Sequence, residues 1–235
     1  MCQINPEQMS KEDIVYEDLG TIPYASAWDY QEKLFKNIVD AKRNGLIPLP
    51  PNHLLFCEHP HVFTLGKSGS EGNLLINAQC LEAAGATFYR TNRGGDITYH
   101  GPGQIVGYPI IDLEQFNLGI RRYIEILEEA VIQLLAGYGI NAGRLAGASG
   151  VWLDADVSAR ARKICAIGVR SSRYVTMHGF AFNVNTNLDF YGYINPCGFT
   201  DKGVTSMEKE LNREMNMEEV KLQLRDILIR KLQEH

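Results

Sequence analysis

No apolar run in this sequence of 235 residues approaches the length of a membrane-spanning helix. The first twenty residues lack a basic stretch followed by an apolar one, so we expect no secretory signal and no membrane partner. Cysteine is scarce, with five residues and no CxxC pair. This usage is typical neither of a disulfide framework nor of a zinc site, so we predict no bound metal and a reducing, cytoplasmic location.

The signatures of nucleotide and nucleic-acid binding are also missing. Gly66-Lys67-Ser68 resembles the end of a phosphate loop, but the upstream glycine that such a loop needs is absent. The glycines between residues 93 and 104 lead into an extended segment rather than a helix, which argues against a dinucleotide fold. The formal charge of −5 argues against general nucleic-acid binding, so we expect no nucleic-acid partner.

The sequence does contain alternating helical and strand patterns. Helical periodicity predicts helices over residues 25–43, 77–84, 120–138 and 218–232. Strand patterns occur at residues 14–16, 53–65 (two strands around Pro60), 87–91, 105–109, 151–153, 164–169 and 179–184. Without a repeat or linker, residues 1–235 are predicted to form one α/β (α+β) domain with a mixed sheet, in which residues 1–13 are a flexible extension.

Residues 93–104 hold four glycines and a proline between two predicted strands. Glycine allows backbone N–H groups to come close to a ligand, so we interpret this segment as a binding loop. His100 is then the histidine best placed to contact a substrate. A tight double turn without a ligand is the alternative. The two histidines around Pro60 lack the spacing and the further ligands of a metal site.

Cys197 lies on a turn between Pro196 and Gly198. Pro fixes its own φ and Gly permits unusual backbone geometry, so a side chain on this turn is presented rather than packed. A plain turn would accept Ser, Thr or Ala equally well. We therefore hypothesise that Cys197 is a nucleophile.

A predicted strand that begins at Lys163 carries the rival cysteine. Strict alternation would put Lys163, Cys165 and Ile167 on one face of this strand. The small residues Ala166 and Gly168 would lie on the other face and leave room for a slender ligand. A neighbouring ammonium lowers the pKa of a thiol from about 8.5. A mid-strand position predicts burial of Cys165, so we prefer Cys197 as the nucleophile.

Basic residues outnumber acidic ones six to two between residues 144 and 173, although the whole chain is acidic. This surplus is compatible with a docking surface for an acidic partner. A solvated face whose counter-charges lie elsewhere in the sequence is the alternative.

Seven motifs follow one another between residues 54 and 207. They are Arg93-Gly94-Gly95-x-x-Thr98-x-His100-Gly101-Pro102-Gly103-Gln104, Tyr108-Pro109-Ile110, Gly150-Val151-Trp152, Lys163-Ile164-x-Ala166-x-Gly168, His178-Gly179-x-Ala181-x-Asn183, Pro196-Cys197-Gly198 and Val204-Thr205-Ser206. As an ordered set they resemble the lipoyl(octanoyl) transferases. The resemblance implies the α/β catalytic domain shared by lipoate and biotin protein ligases.

The activity that the resemblance implies is transfer of an octanoyl group to lipoyl domains, the first step of endogenous lipoate synthesis. The donor would be acyl carrier protein, and the acceptors would be lysines in 2-oxoacid dehydrogenase E2 subunits and the glycine cleavage H protein. No cofactor is expected, because the octanoyl group arrives on the carrier's phosphopantetheine. Cys197 would form the acyl thioester and Lys163 would lower its pKa. The acyl-substrate pocket would consist of Arg93, Gly94, Gly95, Asp96, Ile97, Thr98, Tyr99, His100, Ala166, Ile167, Gly168, Gly179, Phe180 and Ala181.

Two alternatives remain open at the level of the sequence. An ATP-dependent lipoate–protein ligase would use the same fold and the same strand lysine to hold an adenylate. A non-catalytic module that binds acyl carrier protein would need neither Cys197 nor Lys163 for chemistry.

Overall fold

The structure is a computed structural model that describes residues 14–195 and 202–234. The strands are β1 (Ile14–Thr21), β2 (Asn52–Glu58), β3 (Val62–Leu65), β4 (Thr87–Arg90), β5 (Ile97–His100), β6 (Gln104–Ile110), β7 (Gly143–Leu145), β8 (Ala148–Leu153), β9 (Arg162–Ser172), β10 (Val175–Asn183) and β11 (Gly203–Val204). The helices are α1 (Tyr24–Arg43), α2 (Ala78–Ala83), α3 (Ile120–Gly137), α4 (Met207–Leu211) and α5 (Met217–Gln233).

A large mixed sheet forms the centre of the structure, with the strand order β1-β2-β6-β10-β9-β8-β7. β1 runs parallel to β2, and the remaining neighbours along this path are antiparallel. β11 runs parallel to the first residues of β9, beyond the end of β10. The predicted mixed α/β fold is confirmed.

Helices cover both faces of this sheet. Each predicted helix over 25–43, 120–138 and 218–232 is present, because its apolar residues recur at helical spacing and face the sheet. α3 and α5 bury one face and α1 buries the other. Full burial of one Leu or Ile side chain stabilises the fold by about 1.5–3 kcal/mol. None of the helices that the structure describes is long and apolar enough to cross a membrane.

The small sheet β4-β3-β5 has a core of its own, to which Phe63 and Tyr99 contribute. The two strands predicted around Pro60 both form, but β2 belongs to the large sheet and β3 to the small one. The prediction that residues 93–104 form one loop is wrong, since Ile97–His100 pairs with β3 as strand β5. Strand alternation in this short stretch is masked by the glycines that flank it.

Strands β9 and β10 run longer than predicted and form a hairpin. Its turn residues Arg173 and Tyr174 have φ values of 49° and 62°. Two positive φ values in succession are the geometry of a type I′ turn, which normally uses Asn or Gly. Without these residues the sequence gives no turn signal. The helix Met207–Leu211 and the strand Gly143–Leu145 were not predicted either.

Substitution of Gly179 tests how closely β10 packs against β6 in this sheet. A Cβ at this position would lie 2.2 Å from the Gly107 carbonyl oxygen and 2.7 Å from Pro109 Cδ. We expect Gly179→Ala to lower the free energy of unfolding by about 1–3 kcal/mol, because backbone must move. That loss corresponds to roughly 2–4 °C in Tm for each kcal/mol. Thermal unfolding measures the effect.

Gly137→Ala is the matched control. A Cβ at Gly137, the last residue of α3, would meet nothing within 4 Å. Alanine is favoured over glycine in a helix, so this variant should keep or raise its Tm. An unchanged Tm in Gly179→Ala would contradict the close packing of β6 against β10.

Candidate active site

A cavity of about 510 Å³ lies where the glycine-rich segment 93–98 packs over strands β9 and β10. This volume is within the range of about 300–1,000 Å³ that small-molecule sites occupy. Every predicted substrate-binding residue except Tyr99 lines it: Arg93, Gly94, Gly95, Asp96, Ile97, Thr98, His100, Ala166, Ile167, Gly168, Gly179, Phe180 and Ala181. Lys163 lines it as well. The structure thus brings together segments that are up to 88 residues apart between Arg93 and Ala181.

Small residues form one wall of the cavity, where β9 and β10 pair. Ala166 lies opposite Ala181, and Gly168 lies opposite Gly179. A Cβ at Gly168 would lie 2.9 Å from the Gly94 carbonyl oxygen. Larger side chains would therefore fill the groove or displace the backbone that covers it, so this wall suits a slender, apolar ligand.

A β-bulge decides where Lys163 points. Trp152 pairs with Lys163 and Val151 pairs with Cys165, so Ile164 is an extra residue in β9. Ile164 and Cys165 both lie in the core beneath α3 and α5. The predicted common face for Lys163, Cys165 and Ile167 is therefore wrong.

The bulge reverses the alternation and turns Lys163 to the face of Ala166 and Gly168. Its side chain is buried, with 8% exposure for the whole residue. The ammonium lies 4.6 Å from the centre of the Trp152 ring, a cation–π contact. The backbone of Lys163 is fixed by Val204 in β11 and by the Thr205 N–H, which donates to the Lys163 carbonyl at 3.0 Å.

The two cysteine candidates differ in what the structure shows of them. Cys165 has no exposed surface, and burial raises its pKa far above the ordinary range, although Lys163 lowers it in part. A thiol in that environment is inert. Cys197, the preferred nucleophile, lies outside the described residues.

Arg93 organises the loop to which it belongs. Its guanidinium donates to the Thr64 carbonyl at 2.6 Å, the Asp96 carbonyl at 2.8 Å and the Gly94 carbonyl at 2.9 Å. These bonds wrap residues 93–96 around the side chain. Arg93 therefore shapes the cavity wall as well as lining it.

His100 lines the cavity as a neutral imidazole. Its Nδ1–H donates to Gln104 Oε1 at 2.8 Å, while Nε2 accepts from the Thr64 hydroxyl at 3.3 Å. Burial first, and then the neighbouring His59, hold the pKa of His100 well below its ordinary value. The Tyr24 ring stacks on it with 6.0 Å between ring centres.

Tyr99 is the predicted pocket residue that the cavity does not include. Strand alternation in β5 turns its side chain into the core of the small sheet. Its hydroxyl is 2.7 Å from His61 Nδ1.

The two histidines around Pro60 bond to protein groups. His59 donates from Nδ1 to the Ile22 carbonyl and accepts from the Tyr108 hydroxyl, each at 2.7 Å. Among the described residues, no group of three or more potential metal ligands is present.

Several cavity residues were not predicted from the sequence. They are Tyr24, Ser68, Val106, Tyr108, Ile124, Gly147, Ala148, Ser149, Val169 and His178. His178 and Tyr108 stand in the motifs that carried the family resemblance, which is the one signal that could have identified them. Tyr24 and residues 147–149, between and within β7 and β8, are brought to the cavity by the tertiary fold, and no local sequence pattern indicates them.

His178 has an unusual conformation within strand β10. Its φ is +58°, a region that side-chain-bearing residues avoid and that costs about 1–3 kcal/mol. Its Nε2–H donates to Asn92 Oδ1 at 2.6 Å, and its backbone N–H donates to Gln31 Oε1 at 3.1 Å. Burial, followed by the charges of Arg93 and Arg170, lowers its pKa to about 3.

Three of the six basic residues between residues 144 and 173 form ion pairs within the protein. Arg144 contacts Glu128 at 2.7 Å, and Arg162 contacts Glu210 at 2.7 Å. Arg170 contacts Glu32 at 2.9 Å. These partners come from α1, α3 and α4, outside residues 144–173, and Arg162 also pairs with Asp154 within that range. These three arginines therefore carry less net charge to the surface than the sequence indicates.

Comparisons with known proteins relate this chain to acyl-transferring and ligating enzymes. The family model described as "Lipoyl protein ligase A/B catalytic domain" matches residues 23–229. An octanoyltransferase of Bacteroides fragilis (strain YCH46) is 58% identical over 207 residues, which cover 88% of this chain and 92% of that protein. An octanoyltransferase of Parabacteroides distasonis is 56% identical over 218 residues, 93% of this chain and 98% of that protein.

A solved structure shares the fold at low sequence identity. The bipartite lipoate protein ligase from Thermoplasma acidophilum has a TM-score of 0.61 and 16% identity, over 94% of this chain and 82% of that chain. At this identity the likeness concerns the fold alone.

The buried histidines predict how stability depends on pH. Burial lowers the pKa of His59 to about 4 and that of His178 to about 3. In the unfolded chain these groups take up protons below about pH 6.5. Their full contribution to stability is therefore present above that pH and is lost as the pH falls towards the folded-state pKa. Each group adds a slope of about 1.4 kcal/mol per pH unit to the free energy of unfolding.

We expect His59→Gln to reduce the slope of the unfolding free energy against pH between pH 6 and pH 4.5. The reduction should be about 1.4 kcal/mol per pH unit, the amount that corresponds to one proton. Urea unfolding of both proteins across this range measures it, and the difference at pH 8 gives the loss from broken hydrogen bonds alone. Parallel pH profiles for the two proteins would contradict the low pKa of His59.

Proposed function

This chain belongs to the lipoyl protein ligase A/B catalytic-domain family, and we propose that it moves an octanoyl group through a thioester on Cys197. Its close relatives are octanoyltransferases, and this protein is accordingly an acyltransferase that transfers octanoyl groups. The proposal concerns the steps of that transfer and its partners. Its main support is the bulge in β9, which brings a buried ammonium to a groove lined by Ala and Gly.

The described residues that precede and follow Cys197 in the sequence contact segments that line the cavity. Before it, the Asn195 N–H donates to the Asn73 carbonyl at 2.8 Å, and the Asn73 side chain donates to a cavity-lining aspartate. After it, Val204 pairs with Lys163. This arrangement supports a short path between the thiol and the ammonium.

In the proposed first step, the Cys197 thiolate attacks the carbonyl carbon of the carrier thioester. A carbon–sulfur bond forms to the enzyme, and the bond to the pantetheine sulfur breaks. Lys163 stabilises the thiolate beforehand and can donate a proton to the leaving thiol. Backbone N–H groups near the glycine loop would stabilise the oxyanion.

In the proposed second step, the acceptor lysine attacks the acyl-enzyme. An amide bond forms, the carbon–sulfur bond to Cys197 breaks, Cys197 leaves as a thiolate, and neutral Lys163 accepts the one proton that the amine loses. Exchange between thioesters is nearly balanced, while amide formation is downhill. The reaction therefore needs no ATP, and the groove of small residues keeps water from the acyl chain while the intermediate waits.

Lipoyl-domain proteins are the acceptor partners that this function implies. We propose acyl carrier protein as the donor, and E2 subunits of 2-oxoacid dehydrogenases and the glycine cleavage H protein as acceptors. We place the protein in the cytoplasm, because five cysteines without a pairing pattern suit a reducing compartment.

The alternative within the fold is an ATP-dependent ligase, which would use Lys163 to hold an adenylate. Two observations separate it from the transferase. Octanoyl transfer from acyl carrier protein should proceed without ATP, and free octanoate with ATP should give no product. The opposite pattern would favour the ligase.

Intact-mass spectrometry after mixing with octanoyl-acyl carrier protein tests the nucleophile. We expect one octanoyl adduct on the unaltered protein and none on Cys197→Ser. Cys165→Ala is the matched control and should form the adduct normally, because Cys165 is buried in the core away from the cavity. An adduct that persists in Cys197→Ser, or that is lost only in Cys165→Ala, would overturn the assignment.

Lys163 is tested by two substitutions that separate charge from proton transfer. Lys163→Met removes both, and we expect transfer to slow by about 10²–10⁴-fold. Lys163→Arg keeps a positive charge but cannot act as a base near neutral pH. It should still form the adduct and then accumulate it, because the second step is blocked. Single-turnover mass measurements with a lipoyl domain follow both steps, and equal slowing of the two steps in Lys163→Arg would argue against the proton-transfer role.

A further inference from the structure

Glu128 is a buried carboxylate that the proposed reaction does not use. It stands on α3, four residues after the cavity-lining Ile124, and the whole residue is 5% exposed. Burial of a charged group is costly unless hydrogen bonds and a counter-charge stabilise it. The partners of this carboxylate therefore indicate its role.

The carboxylate joins both strands of the β7–β8 hairpin to α3. Glu128 Oε1 accepts from the Gly150 N–H in β8 at 2.9 Å, and Oε2 accepts from Arg144 Nε in β7 at 2.7 Å. Arg144 also donates to the Glu125 carbonyl on α3 at 2.9 Å. Residues 147–149, between these two attachment points, line the cavity. Glu128 thus fixes part of the cavity wall.

Gly150 lies against the side chain of Lys163. A Cβ on Gly150 would lie 3.6 Å from Lys163 Cδ and 2.4 Å from the Cys165 carbonyl oxygen, so the backbone of β8 borders the lysine directly. Gly150 has a φ of +116°, a conformation that residues with a side chain rarely adopt. The position of β8 at this glycine therefore limits where the lysine side chain can lie.

We propose that Glu128 is a positioning residue for Lys163. By holding the Gly150 N–H, it sets where the ammonium stands at the wall of the cavity. The proposal rests on the function proposed above, because it takes Lys163 to be the group that serves both steps of the transfer. Glu128 acts on the reaction only through Gly150 and Lys163.

The hydrogen bond to Gly150, rather than the charge of Glu128, carries this effect. Gly150 is buried, so without an acceptor its N–H would be left unpaired and β8 is expected to shift. A displacement of about 1 Å at a reacting group can slow a reaction by about 100-fold. Arg144, by contrast, has a side chain that is 42% exposed and also contacts Glu129 at 3.3 Å, so its charge keeps a partner when residue 128 is neutral.

Two conservative substitutions separate the hydrogen bond from the charge. Glu128→Gln keeps an oxygen acceptor at the same distance from the backbone of α3 and removes the charge. Glu128→Asp keeps the charge, but its side chain is shorter by one carbon–carbon bond of about 1.5 Å, so it falls short of the Gly150 N–H.

We measure kcat and KM for transfer from octanoyl-acyl carrier protein to a lipoyl domain, well below the Tm of each variant. Glu128→Gln should keep kcat within about threefold of the unaltered protein, and Glu128→Asp should lower kcat by about tenfold or more. KM should change less than kcat, because the Ala and Gly residues of the groove are unaltered.

A double-mutant cycle with Lys163→Met tests whether Glu128 acts through the lysine. Glu128→Asp should slow single-turnover transfer by about tenfold in the unaltered protein and by less than about twofold in Lys163→Met, which has no ammonium to displace. A purely stabilising role would slow both proteins by the same factor. If Glu128→Asp does not fold, Glu128→Ala, which also lacks an acceptor within reach, takes its place in the cycle.

Glu125→Gln is the matched control. Glu125 stands on the same helix, its side chain is 40% exposed, and its carboxylate contacts Arg122 at 3.4 Å. Exposed ion pairs of this kind contribute little to stability. The substitution also leaves the backbone carbonyl to which Arg144 donates in place. This variant should transfer octanoyl groups at the rate of the unaltered protein.

The proposal is overturned if Glu128→Asp keeps its kcat, if the slowing is equal in the two backgrounds of the cycle, or if Glu128→Gln is slowed as much as Glu128→Asp. Each of these results leaves octanoyl transfer and the role of Lys163 intact, so the proposed function would stand. If Lys163→Met transfers at the rate of the unaltered protein, the role proposed for Lys163 fails, and this proposal fails with it.

Discussion

The position of the Lys163 ammonium depends on one extra residue in β9. Without the bulge at Ile164, strict alternation would direct the lysine into the core beneath α3 and α5, where an unpaired ammonium is strongly disfavoured. With it, the charge faces the groove and Cys165 takes the buried position. Bulges next to active sites commonly redirect a side chain in this way. The separation of an inert cysteine from a usable cation is therefore one consequence of a single local irregularity.

Among the described residues of the cavity wall, the polar groups other than Lys163 are either neutral or hydrogen-bonded within the protein. His100 and His178 are kept neutral by burial, and the guanidinium of Arg93 donates to the backbone carbonyls of Thr64 in β3 and Asp96 in its own loop. Asp96 accepts from Asn73 and from the backbone N–H of Ile97. Arg93 and Asp96 thus shape the cavity by holding residues 93–97 in place. What they leave open is a groove for an apolar chain, with Lys163 at one end.

Local pattern was sufficient for the long elements of this fold and insufficient for the features that create the site. α1, α3 and α5 follow from helical periodicity, because one face of each helix meets a large core. β5 was missed because glycines hide its alternation, and the hairpin turn at Arg173 and Tyr174 uses residues that carry no turn signal. The bulge at Ile164 depends on pairing with β8, a contact that no local pattern contains. The family resemblance did predict most of the cavity residues, because the motifs of a family mark residues that meet in its fold even where they are far apart in the sequence.

The floor of the cavity and its His178 end are under different physical constraints. The groove floor at Gly168 and Gly179 cannot gain a side chain without moving the backbone of neighbouring segments, so its shape is tied to the stability of the sheet. At the His178 end, side chains of α1 contact β10: the Gln31 side chain accepts from the His178 backbone N–H, and the Trp28 ring lies beside the His178 ring. A change there alters what the cavity accepts while the sheet register stays intact. The shape of the groove floor is therefore fixed by the fold, whereas the His178 end can change without disturbing the sheet.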